Sequence, residues 1–129
     1  AWAVGFSSER EIDAVGIAGA TRVAMRRALQ NLKQAPQHLI IDYLAIQEAA
    51  CPQICLPFGD RISLSVAAAS VLAKTYRDAY MVELEGKYPG YGFSNHKGYG
   101  TPEHRQLLKK NGISAIHRRS YRPVFEMEG

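Results

Sequence analysis

Two aspartates stand in matched settings. Residues 38–41, HLII, form a compact apolar run that ends in Asp42, and residues 54–56, ICL, form a second that leads through Phe58 and Gly59 to Asp60. Apolar runs this short, bounded by turn residues, suit buried strands. Two neighbouring strands would place both carboxylates on one rim, where the carboxyl ends of strands in α/β sheets gather chemistry. Carboxylate oxygens are the ligands that magnesium, a hard cation, prefers. Asp60 has a second reading, since Asp is a favoured helix N-cap and a helix begins just after it. A tyrosine-bearing loop is the other candidate. Residues 88–104, YPGYGFSNHKGYGTPEH, hold four glycines, two prolines, three tyrosines and two histidines. Aromatics interleaved with Lys97 and His96 suit contacts to nucleic acid. In the tail, His117, Arg118, Arg119 and Arg122 form a basic cluster beside Ser120 and Tyr121. It is either a phosphate-binding group or a solvated tail.

The elements that must position these residues follow from periodicity. Residues 63–73 are uncharged and rich in Leu, Val and Ala, and a helix apolar on nearly all sides is expected to be buried, with the rest of the fold around it. Residues 1–6, AWAVGF, suit a strand. Ser8 and Glu11 have capping-box spacing and open a short helix, and a second is expected from about Ala18 to Lys33, with Arg22, Arg26, Arg27 and Lys33 on its solvated side. Thr101 and Pro102 read as N-cap and first helical residue, and Gly112 as the stop of that helix near Asn111. Strands handing over to helices give an α/β fold.

The bulk properties bound the function. A chain of 129 residues fits one domain, residues 1–129. A net charge of +4 permits a polyanionic partner without requiring one. No run is long and apolar enough for a membrane span, and the start lacks the pattern of a signal peptide. Cys51 and Cys55, the two cysteines, have a C-x3-C spacing that does not fit a zinc site and are expected to be reduced in a cytoplasmic protein. The glycines at 90, 92, 98 and 100 match neither a phosphate loop nor a dinucleotide fingerprint, which leaves a small metabolic α/β domain without its signature.

The stretches SSEREIDAVGIAGAT, AMRRAL, LIID, GDRISLSVAAASVLAKTYRD, YPGYGFSNHKGYGTPEH and IHRRSY, in this order, resemble the later part of bacterial ribonuclease HII. The resemblance implies an RNase H-like mixed sheet with surrounding helices. It implies cleavage of the RNA strand of RNA–DNA hybrids, nicking of duplex DNA on the 5′ side of a single ribonucleotide, and four carboxylates with magnesium or manganese. Asp42 stands where the family has its third carboxylate and Asp60, with Ser63, where it has the fourth. Tyr99 stands where a tyrosine packs on the sugar of the RNA–DNA junction. His96, Lys97, Arg118 and Arg119 are the further nucleic-acid candidates. The chain departs from the family pattern at Tyr43, where Gly is usual, and at Phe58, where Lys is usual. Nothing in it matches the Asp-Glu pair and Gly-Arg-Gly turn of the family's first strands. The expectation is a chain lacking those N-terminal strands, inactive or nearly so alone and prone to self-association through an exposed sheet edge. The alternative is a non-catalytic nucleic-acid-binding fragment.

Overall fold

The computed structural model describes residues 1–47 and 49–128. The chain divides into two compact units, Ala1–Ala73 and Lys74–Gly129.

In the first unit, residues 1–6 adopt no regular structure. A strand needs a neighbour to pair with. Here helix side chains serve the backbone instead: Asn31 Nδ2 donates to the Val4 carbonyl at 3.0 Å and Arg27 Nη1 to the Phe6 carbonyl at 2.7 Å. The close approach requires Gly5, because a Cβ there would overlap the Ala24 carbonyl oxygen. Helix α1, Glu9–Asn31, opens on the expected capping box. Ser8 accepts from the Glu11 amide, and the Glu11 carboxylate accepts from the Ser8 amide. The two expected helices are one element with a break at Gly16, whose φ of 72° is left-handed. Arg27 is not simply solvated. It grips Glu11 with two bonds of 2.8 and 2.6 Å, bridging the break.

Strands β1, Leu39–Asp42, and β2, Gln53–Leu56, pair in parallel, with Leu39 opposite Gln53 and Asp42 opposite Leu56. The Gln53 amide clamps the connection by bonding both backbone groups of Ile46, at 2.9 and 2.7 Å. Ile41 is buried, whereas Ile40 and its partner Ile54 are exposed, so alternation along the strands leaves one apolar face open. A four-residue helix, α2, Gly59–Ile62, follows, and Ser63 at φ −121° separates it from α3, Leu64–Lys87.

The expected burial of this helix is not observed. Leu64 is 87 % and Val71 67 % exposed, while Val66 and Leu84 are buried. Alanine is the best helix former, so a run rich in it favours a helix whether or not a layer covers it. Apolar composition therefore forecast the helix but not its cover.

The second unit contains the end of α3, then α4, Phe93–His96, α5, Pro102–Asn111, and α6, Arg122–Glu128. Thr101 caps α5 through the His104 amide, Pro102 stands in its first turn and Gly112 ends it, as the sequence indicates. The core is Phe93, Leu108 and Val124 with three buried histidines, His96, His104 and His117. No helix among the described residues is long and apolar enough to cross a membrane.

Candidate functional site

The parallel register decides where the carboxylates stand. Asp42 is the last residue of β1, opposite Leu56, the last residue of β2, so both strands deliver their carboxyl ends to one edge. Asp42 Oδ1 accepts from the Gly59 amide at 2.9 Å, which fastens the end of β1 to the turn that carries Asp60. The turn is tight: a Cβ on Gly59 would sit 3.4 Å from the Asp42 Cα. Asp60 lies in the first turn of α2, whose N-cap, Phe58, makes no side-chain capping bond. Asp60 is therefore not the cap. Both aspartates are exposed. Ser63 is half-buried, and its hydroxyl accepts from the Val66 amide at 3.5 Å, at the start of α3.

The residues flanking the aspartates carry unusual backbone. Tyr43 has φ 66° and Phe58 φ 57°, both in the left-handed region that L residues seldom enter. At both positions the residue differs from the one the sequence resemblance leads one to expect, and at Tyr43 the geometry is one that glycine adopts without penalty.

Two exposed carboxylates, one at the end of β1 and one in the turn fastened to it, would suit a single hard cation if they converge, its remaining ligands being water and phosphate oxygens. Among the described residues no group of three or more His, Cys, Asp or Glu side chains could hold a metal ion.

In the second unit Tyr99 is 51 % exposed, but it is not the unattended side chain that a glycine-rich loop suggests. Lys74 Nζ lies 5.2 Å and Arg77 Cζ 4.8 Å from its ring centroid. Asp78, through a 2.6 Å bond, raises the pKa of Lys74 and keeps it charged. Arg77 Nη1 is buried without a hydrogen-bond partner among the described residues. The Tyr99 backbone is pinned as well. Its amide donates to the His96 carbonyl at 2.9 Å, and its carbonyl accepts from the Thr101 amide at 2.8 Å and from the His104 ring at 3.0 Å.

The other loop candidates turn inward. His96 is buried, its Nε2 2.7 Å from the Tyr91 carbonyl and its Nδ1 accepting from the Gly98 amide. The Lys97 ammonium donates to the Ser94 carbonyl. Arg118 lies over the Tyr121 ring at 5.1 Å, and Arg119 is exposed. His117, expected in a basic cluster, is buried, and burial, followed by the adjacent His104, pushes its pKa down to about 4. It is a neutral core group at physiological pH. Sequence reading missed Lys74 and Arg77 as partners of Tyr99. Their spacing on one helix face was the available signal, though it does not reveal what that face meets.

The sequence profile described as Ribonuclease HII matches residues 1–124. The chain belongs to the ribonuclease HII family. It is 50 % identical over 129 residues to ribonuclease HII of Myxococcus xanthus, spanning 100 % of this chain and 44 % of that protein. It is 47 % identical over 124 residues to a ribonuclease HII of Thermus thermophilus, spanning 96 % and 61 %. The chain thus covers less than two thirds of either relative. The crystal structure of ribonuclease H2 from Pyrococcus horikoshii OT3 superposes with a TM-score of 0.71 at 20 % identity, covering 94 % of this chain and 65 % of that one. That likeness establishes the fold as RNase H-like α/β, as the sequence resemblance implied.

Proposed function

We propose that this ribonuclease HII chain belongs to an endoribonuclease. The activity is hydrolysis of the RNA strand of RNA–DNA hybrids and nicking on the 5′ side of single ribonucleotides in duplex DNA. The observation that carries the reading is the bond from the Gly59 amide to Asp42 Oδ1, which fastens the end of β1 to the turn that carries Asp60. Asp42 and Asp60 would hold magnesium or manganese. A divalent ion there supplies a polarised water and relieves charge on the leaving oxygen. The chain's own part is to orient the substrate. Tyr99 offers its half-exposed ring to a sugar. Lys74 and Arg77 keep that ring in place and add positive charge. Arg118, Arg119 and the Ser63 hydroxyl contact the phosphate backbone. Lys97 and His96 shape the loop that presents Tyr99.

Two carboxylates suffice for one ion, and a two-ion site needs more negative ligands. Residues 1–129 tested alone are therefore expected to cleave weakly or not at all. The alternative is a non-catalytic nucleic-acid binder that uses Tyr99 and the basic tail, and the half-exposed Tyr99 ring flanked by two cations is what favours it. Each strand also has one unpaired edge within the two-stranded sheet of the described residues, so the isolated chain is expected to self-associate. Light scattering across a concentration series measures this, and a monomer at all concentrations removes it.

The deciding experiment combines manganese binding with turnover of a fluorogenic duplex carrying one ribonucleotide. Manganese is expected to broaden the resonances around Asp42 and Asp60, and Asp60→Asn should abolish the effect while the fold persists. Adding a segment bearing the family's Asp-Glu pair in trans should raise metal-dependent cleavage. Cleavage that is unchanged by Asp60→Asn removes Asp60 as a ligand. Salt-sensitive binding that ignores magnesium, without cleavage in any arm, selects the binder instead.

A further inference from the structure

Three histidines pack around Phe93 in the second unit. His104 Nε2 lies 3.2 Å from His117 Nε2, and the His96 ring stacks on His104 with centroids 4.1 Å apart and planes 13° from parallel. The outer bonds determine where the protons sit. A carbonyl only accepts, so the 3.0 Å contact of His104 Nδ1 with the Tyr99 carbonyl requires a proton on Nδ1. A backbone amide only donates, so the 3.0 Å bond from the Ser114 amide requires a lone pair on His117 Nδ1. The Ser114 hydroxyl, 2.8 Å away, donates to the same nitrogen. Neutral His104 therefore has a bare Nε2 and neutral His117 a protonated one, and the contact between them is a proper donor–acceptor pair.

We propose that His104 and His117 are positioning residues for the Tyr99 loop, forming a one-way proton chain that anchors the Tyr99 carbonyl while both rings are neutral. The chain runs from the Ser114 amide to His117 Nδ1, from His117 Nε2–H to His104 Nε2, and from His104 Nδ1–H to the Tyr99 carbonyl. A proton added to His104 Nε2 would set two N–H groups head to head across 3.2 Å. A proton added to His117 Nδ1 would oppose the Ser114 amide. Acid therefore breaks the chain at one of these joints. The functional part of this inference rests on the reading of Tyr99 as a substrate contact.

The surroundings favour the neutral state. Tyr91 and Phe93 pack against His117, and Phe93 and His96 against His104. Burial lowers the pKa of His104 and outweighs the raising effect of its bond to the Tyr99 carbonyl. Burial and then His104 lower that of His117 against a raising backbone bond at Ser114, and His96 lowers both further. Nearby carboxylates are engaged elsewhere: Glu103 by Asn95 at 3.2 Å, and Glu85 by the Gly90 and Ser94 amides. Along the chain the adjacent cations are Arg105 and Arg118, and the Arg118 guanidinium lies over the Tyr121 ring.

The test uses the intact protein. Long-range proton–nitrogen spectra of the imidazoles at about pH 7.5 should find His104 as the Nδ1–H tautomer and His117 as the Nε2–H tautomer. The opposite tautomer of either ring, or a charged ring, overturns the chain. Two variants then separate positioning from packing. His104→Asn keeps an amide N–H near Nδ1 and can still donate to the Tyr99 carbonyl. His104→Gln places its amide near Nε2 and cannot. Exchange of the Tyr99 and Thr101 amides should stay near wild type in His104→Asn and speed up by about tenfold or more in His104→Gln. With the Asp-Glu segment supplied in trans, KM for the one-ribonucleotide duplex should rise in His104→Gln with kcat little changed. Equal exchange in both variants overturns the positioning role. Should His104→Gln fail to fold, the wild-type tautomers still decide. Tautomers and exchange as expected, with binding of the one-ribonucleotide duplex unchanged by Tyr99→Ala, would remove the substrate role of Tyr99 and leave the proton chain standing.

Discussion

At Tyr43 the side chain is 73 % exposed and the backbone is left-handed at φ 66°. A left-handed non-glycine residue costs on the order of 1 kcal/mol or more, and an exposed ring recovers little of it. Tyr43→Gly is therefore expected to stabilise the chain by about 1 kcal/mol, the larger freedom of glycine in the unfolded state offsetting part of the relief. Urea unfolding measures it, and a destabilised variant would mean that the exposed ring makes a stabilising contact. Tyr99 presents the converse case. Its conformation is ordinary and its ring holds two cations. Cation–π contacts at exposed sites contribute about 0.5–1 kcal/mol each, so Tyr99→Ala should lower stability modestly. Cleavage at a single ribonucleotide should fall by about 1–3 kcal/mol of transition-state binding if the ring packs on the sugar. Lost stability with unchanged cleavage would assign the tyrosine to the fold.

Among the elements, α1 is the one with a built-in break. Gly16 has φ 72°, and a Cβ added there meets nothing within 4 Å. Gly16→Ala thus isolates the backbone term from any clash, and the expected loss is about 1 kcal/mol. A gain would mean that the helix straightens through residue 16. Arg27 spans the break to Glu11. That bond, followed by the Ser8 amide, holds the Glu11 carboxyl down at about 2. The capping box and the break were legible because Ser, Glu and Gly act through their own backbone within one turn. The open state of α3 was not legible. Its alanines specify a helix whether or not another layer covers it, and cover depends on neighbours distant in sequence.

For the whole molecule the testable quantity is stability against pH. His117 is depressed from 6.5 to about 4 in the folded state, so below 6.5 the unfolded chain binds the proton first. Its contribution is fully present above about 6.5, falls as pH drops towards 4 and is gone below. One such group is worth at most about 3 kcal/mol. Glu11 acts in a lower window: its contribution is present above 4.5 and is lost as pH falls to about 2. Urea midpoints at several pH values should reveal two separate declines, and His117→Phe should shrink the upper one, leaving the part due to His104. A single decline confined below pH 4.5 would contradict the burial of a neutral His117.

Features that rest on local chemistry were readable from the residues alone. The strands ending near Asp42 and Asp60, the capped starts at Ser8 and Thr101, the stop at Gly112 and the family are of this kind, because each depends on a few adjacent residues or on a long run of identities. Other features waited on the three-dimensional arrangement. Whether Asp42 and Asp60 share an edge depends on strand register and direction, which two short apolar runs do not encode. That His96 and His117 face inward while Lys74 and Arg77 flank Tyr99 depends on how loop and helix meet. A neutral histidine can be buried when its ring nitrogens are bonded, and an arginine can lay its guanidinium over an aromatic ring, and composition does not say which partner the fold will bring.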